Sequence, residues 1–132
     1  MYGDTTAIRR LATRLRETAT DLREEAALSR DGAAVVPWEG LAAEVMRTSV
    51  GAHAGDLGHA ADLHDVAAGA LDRHAGCVDE AKAAIAAAEG AAAEAVAGLA
   101  STARDGLTGM AGLAGLADLP PSGHRAWLDL RP

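Results

Sequence analysis

The sequence predicts an all-α protein, an antiparallel helical hairpin whose second helix is much longer than its first. Three observations carry that expectation. Two segments with apolar residues at steps of three and four flank a short turn, Pro37-Trp38-Glu39-Gly40. A row of larger side chains, Val50, Leu57, His64, Leu71, Val78 and Ile85, recurs at every seventh position of the second segment. Alanine and glycine dominate, and only 2% of residues are aromatic, so two such helices bury little area against each other. The hairpin therefore needs a partner.

The first helix starts at Asp4, Thr5 or Thr6, each able to cap, and is expected to end near Arg30. Its apolar stripe is Ile8, Leu11, Ala12, Leu15, Ala19, Leu22 and Ala26. Arg9, Arg10, Arg16, Glu17, Arg23 and Glu24 fall on the opposite face and are expected in water. Asp31-Gly32 supplies a stop signal, since glycine commonly follows a helix C-terminus. Pro37 supplies another, because it pushes Val36 out of the helical region.

At the turn, Trp38 offers a ring large enough to pack between two arms, and Gly40 allows an unusual φ where the next helix begins. Trp38-Glu39-Gly40 between two amphipathic helices resembles the WXG-motif family, small helical hairpins exported by bacterial type VII (ESX) secretion systems. The resemblance covers roughly residues 4 to 90, as bounded by the periodic segments. It implies dimerisation into a four-helix bundle and a role as secretion substrate, chaperone-like partner or effector. The family's export signal, a tyrosine followed four residues later by an acid after the second helix, is missing here. The only tyrosine is Tyr2.

The second helix begins near Leu41 and is expected to reach Arg104, about 95 Å at 1.5 Å per residue if unbroken. The first arm spans about 40 Å by the same rise, so the distal half must kink near Gly90 or find another cover. Leu15, Leu22, Val50, Leu57, Leu71, Val78 and Ile85 are the expected core and interface. His64 interrupts the row and is expected at its edge. Gly51, Gly55, Gly58, Gly69 and Gly76 each weaken a helix by about 1 kcal/mol relative to alanine, which predicts close packing against a neighbour along that stretch.

The chain divides into a hairpin, residues 1–104, and a Gly/Leu-rich tail, residues 105–132. In the tail Leu107, Met110, Leu113, Leu116 and Leu119 recur every third residue, Pro120-Pro121 ends any helix, and Trp127, Leu128 and Leu130 form an apolar end. That end suits a binding element that orders against another surface.

Charge and composition narrow the function. The net charge of −7 is concentrated between Glu39 and Glu94, where ten acids face Arg47, Arg73 and Lys82. That balance disfavours nucleic acid and anionic membranes as partners. No eighteen-residue run is both apolar and free of charge, so no membrane span is expected. The N-terminus lacks a signal-peptide core. Eleven arginines against one lysine suggest a GC-rich, actinobacterial source.

Chemistry is sparse. His53, His59, His64, His74 and Cys77 form pairs at most, where a closed zinc site needs about four converging ligands. No nucleophile elbow or phosphate loop is present, so no enzyme, metal or cofactor is expected. The expected function is protein–protein interaction in a type VII pathway, as a small secreted substrate or its partner. The chain would pair as a homodimer or with a related hairpin protein, and engage the secretion machinery. It would be secreted or surface-exposed by a signal-peptide-independent route, or otherwise cytoplasmic. A non-secretory helical adaptor, an antitoxin or immunity partner and, distantly, a metal-binding bundle are the alternatives.

Overall fold

A computed structural model describes residues 4–104 and 119–129. Those residues are helical with no strand: α1 spans Thr5–Val35, α2 spans Leu41–Arg104, and one 3₁₀ turn spans Arg125–Leu128. Contacts divide the chain into two units. One is Asp4–Ala75, and the other contains Gly76 through the C-terminus.

The first unit is the hairpin. Asp4 caps α1, its Oδ1 accepting from the Thr6 amide at 2.9 Å, so one of the helix's orphan donors is satisfied. The helix does not stop at Asp31-Gly32, as the glycine suggested. It runs on to Val35, where Val36 turns extended at φ −66°, ψ 120°. A glycine ends a helix only where the chain needs a left-handed residue, and Gly32 has no positive φ. The restriction that Pro37 places on Val36 is what terminates α1. The chain then tightens, with the Trp38 amide donating to the Val36 carbonyl at 2.8 Å. Gly40 takes φ +94°, and its carbonyl accepts from Ala43 and Glu44 to begin α2.

The buried positions of the hairpin are small ones. In α1 they are Thr5, Ala12, Ala19 and Ala26, each seven residues from the next. In α2 they are Ala54, Ala61, Ala68 and Ala75 at the same spacing, with Ala43 near the turn. Each α2 alanine lies four residues after a member of the row Val50, Leu57, His64, Leu71, which completes the alternating four-three spacing of a heptad. The alanine rows form the seam, and the larger residues flank it. Small side chains at the seam let two backbones approach closely, so the first layer of packing is methyl against methyl.

Ion pairs fix the direction and register. Arg16 Nη2 reaches Asp72 Oδ2 at 2.6 Å, and Arg23 Nη2 reaches Asp65 Oδ2 at 2.8 Å. Moving seven residues forward in α1 moves the acid seven residues back in α2, the signature of an antiparallel pair. These two arginines therefore do not simply face water, as expected from the apolar stripe alone. They lie beside the seam and cross it.

In the second unit α2 continues without interruption at Gly90 to Arg104. Ile85 is buried there at 3% exposure, and so is Trp127 of the C-terminal segment at 7%. Glu89, four residues after Ile85, accepts from the Gly123 amide and lies 3.4 Å from Ser122 Oγ. The leucine repeat from Leu107 to Leu116, and Leu130 of the apolar end, lie outside the described residues.

Candidate interaction surface

The hairpin has two chemically distinct flanks, one on each side of its alanine seam. Three residues after each seam alanine of α1 stands Leu15, Leu22 or Ser29, and four after stands Arg16, Arg23 or Arg30. On a helix those two offsets fall on opposite sides of the seam position. Since α2 follows the same alternation, its larger row lies on the side away from its acidic row.

The charged flank is held together internally. Arg23 donates both to Asp62 Oδ1, at 2.7 Å, and to Asp65 Oδ2, and its pKa is raised by the bonds to Asp62 and then Asp65. With the Arg16–Asp72 pair, three acids of the negatively charged second helix are answered within the chain. The sequence carried a signal for this that composition hides: Arg9, Arg16, Arg23 and Arg30 recur every seven residues, as do Asp65, Asp72 and Asp79. Local charge totals register an acidic helix, whereas spacing registers two complementary rows.

The other flank is apolar and incompletely covered. Ile8, Leu15 and Leu22 of α1 are half-buried, as are Val50, Leu57 and Leu71 of α2, with Leu11 exposed at its margin. Val78 is half-buried as well, and Ile85 is the member of the row that is fully covered. His64 sits in the same row, half-buried, with Nδ1 2.8 Å from the Ala60 carbonyl. A carbonyl only accepts, so Nδ1 carries the proton in that bond. Near the turn this flank opens into a shallow cleft lined by Ser29, Val36, Met46, Val50 and His53.

The turn is organised by a residue that the sequence reading passed over. Arg47 donates from Nε to the Ala33 carbonyl at 3.3 Å, and from Nη2 to the carbonyls of Val36 at 3.1 Å and Trp38 at 2.7 Å. Those carbonyls belong to the end of α1 and the connection, where no helical amide is available to them. Trp38 is 49% exposed, and its sequence neighbours Val35, Val36, Leu41 and Val45 are exposed too. The tip thus presents an apolar surface, while its backbone is clamped by a guanidinium. Gly40 supplies the positive φ that the connection requires.

Within the chain the helix glycines make no close approach. A methyl added at Gly51, Gly55, Gly58, Gly76 or Gly90 would meet nothing within 4 Å, and at Gly69 only the Arg73 side chain at 3.5 Å. Close approach within the hairpin is achieved by alanine, because a seam position needs a residue that is both small and strongly helix-forming.

No group of three or more His, Cys, Asp or Glu side chains converges among the described residues. Cys77 is exposed with a free thiol. The requirement of a charge-free run overlooked one feature of α2. By length and composition it contains a stretch apolar enough to cross a membrane, with only 6% of that stretch buried. No family model, curated protein or solved structure matches the chain.

Proposed function

We propose that this protein is a protein–protein interaction module of a type VII (ESX) secretion pathway, a small secreted substrate or the partner of one. The observation that carries the reading is the asymmetry of the hairpin. One flank is closed by its own ion pairs, while Leu15, Leu22, Val50, Leu57 and Leu71 leave the other half-covered. A second hairpin laid on that flank completes a four-helix bundle, with leucine layers filling the space between two alanine-spaced pairs. The Trp38-Glu39-Gly40 turn, with Gly40 opening α2, supports placing it among the WXG-motif hairpins. The partner is a second copy or a related hairpin protein.

Light scattering at micromolar concentration tests the association, with a dimer expected. Leu15→Glu with Leu71→Glu should give a helical monomer, and a monomeric wild-type chain would remove the second copy as partner and leave the related hairpin protein. Export tests the pathway: the protein should reach the culture medium of its native cell and cease to do so when the secretion ATPase is deleted. Unchanged export would leave a helical adaptor. The apolar stretch of α2 favours a second reading, in which that helix associates with a bilayer. Co-flotation with neutral phosphatidylcholine vesicles distinguishes the two.

A further inference from the structure

Beyond the hairpin, the seam face of α2 has an occupant of a different kind. Ile85 continues the row that begins at Val50, and Glu89 continues the row of Ala54, Ala61, Ala68 and Ala75 at the fourteenth residue after Ala75. Glu89 therefore continues the seam row, and Ile85 the larger row that flanks it. In this second unit Glu89 meets the segment of residues 119–129. Glu89 takes the Gly123 amide on Oε1 and stands within reach of Ser122 Oγ through Oε2, so both carboxylate oxygens are directed at one turn of the C-terminal segment.

The segment is a small folded peptide in its own right. The His124 amide donates to the Pro121 carbonyl at 3.0 Å, closing a β-turn in which Gly123 holds φ +74°. His124 Nδ1 accepts from the Ala126 amide at 3.2 Å and caps the 3₁₀ turn. The Trp127 indole donates from Nε1 to the Pro121 carbonyl at 3.0 Å, which ties the ring back to the start of the turn. Pro120-Pro121, the turn glycine and the satisfied indole limit the shapes open to this peptide, so little order remains to be imposed on binding. A preshaped peptide meets a carboxylate that stands one helical turn from a buried isoleucine, so a directional polar anchor lies beside an apolar position.

We propose that the Ile85–Glu89 face of α2 is a docking site for this C-terminal peptide, filled in cis by the chain's own residues 119–129 and open to the same peptide of a second copy. The chemistry recognised is a glycine turn amide paired with a tryptophan anchor. Reciprocal exchange of the two peptides closes with two-fold symmetry, so it links two copies without leading to a filament. This contact lies along α2 beyond Leu71, the last of the leucines proposed above for the bundle, and does not depend on that reading.

The test is fluorescence anisotropy with a labelled synthetic peptide of residues 119–129, titrated with full-length chains. Wild-type protein should bind weakly, because its own segment competes at an effective concentration on the order of millimolar. Trp127→Ala, which releases the resident segment, should bind the wild-type peptide at least tenfold more tightly. Adding Glu89→Ala to that chain should abolish the gain, whereas adding Glu94→Ala should preserve it. Circular dichroism confirms that α2 is intact in each. Equal affinity of wild type and Trp127→Ala, absence of binding by either, or indifference to Glu89→Ala would overturn the proposal.

Discussion

Arg47 donates to the backbone carbonyl of Trp38 at 2.7 Å, so the tryptophan at the hairpin tip is held by its main chain while the residue stays half in solvent. The same guanidinium reaches back to Ala33 and Val36 and joins the end of α1 to the first turns of α2. A planar fork of donors suits three carbonyls that no helical amide serves.

Arg47→Ala should lower hairpin stability by about 2 kcal/mol, since hydrogen bonds from a charged donor contribute about 1.5–3 kcal/mol each when well shielded and less near solvent. Arg47→Lys should recover only part of the loss, because an ammonium cannot span the three acceptors. Urea unfolding followed by helicity measures both. An alanine variant as stable as wild type would show that the clamp is dispensable.

Trp38→Ala should be mild for so large a truncation. Fully buried aromatics lose about 3–5 kcal/mol on such a change, and a tryptophan that is 49% exposed should lose well under half of that. Partner binding should suffer more than folding. Calorimetry on the isolated protein, set beside affinity for its partner, separates the two effects, and a drop in stability as large as that of a core residue would place the ring in the core after all.

Ala61→Leu should destabilise the hairpin by about 1–3 kcal/mol through overpacking, although it adds apolar area and keeps a good helix former. Gly55→Ala should act in the opposite sense, gaining about 0.5–1 kcal/mol because the added methyl meets nothing. If Gly55→Ala stabilises the monomer yet weakens self-association, the glycine lies against the second copy. Thermal melts at two protein concentrations resolve these cases.

The cap at Asp4 predicts a pH dependence. Its pKa is lowered by the amide of Ala7, then by that of Thr6. A depressed carboxyl pKa means that the cap contributes while the group is charged. The contribution is complete above the unfolded value of 3.8 and disappears as pH falls through the lower folded value. Asp4→Ala should therefore be less stable than wild type at pH 7, with the difference closing in strong acid. A difference that stays constant across that range would remove the carboxylate from the cap.

Much of this architecture was legible from spacing. Pro37 marked the end of α1 and Gly40 the start of α2, because ring closure and a positive φ are local constraints that need no tertiary context. The apolar stripe of α1 and the sevenfold row of α2 followed from helical geometry, and so did the hairpin.

Spacing could not rank the rows by burial. Hydrophobicity favours Leu57 and Leu71 as the centre of the seam, yet the centre is Ala54, Ala61, Ala68 and Ala75. Size decides that choice, because two backbones drawn close leave room only for methyls, and the leucines are displaced to one side. The acids of α2 likewise acquire partners only once the antiparallel register sets Arg16 beside Asp72 and Arg23 beside Asp65. The sequence by itself determined where the helices lie and which residues can share a face. The tertiary structure decided which face closes on itself and which is left for a partner, because that depends on register and helix approach, quantities that arise only between segments far apart in the chain.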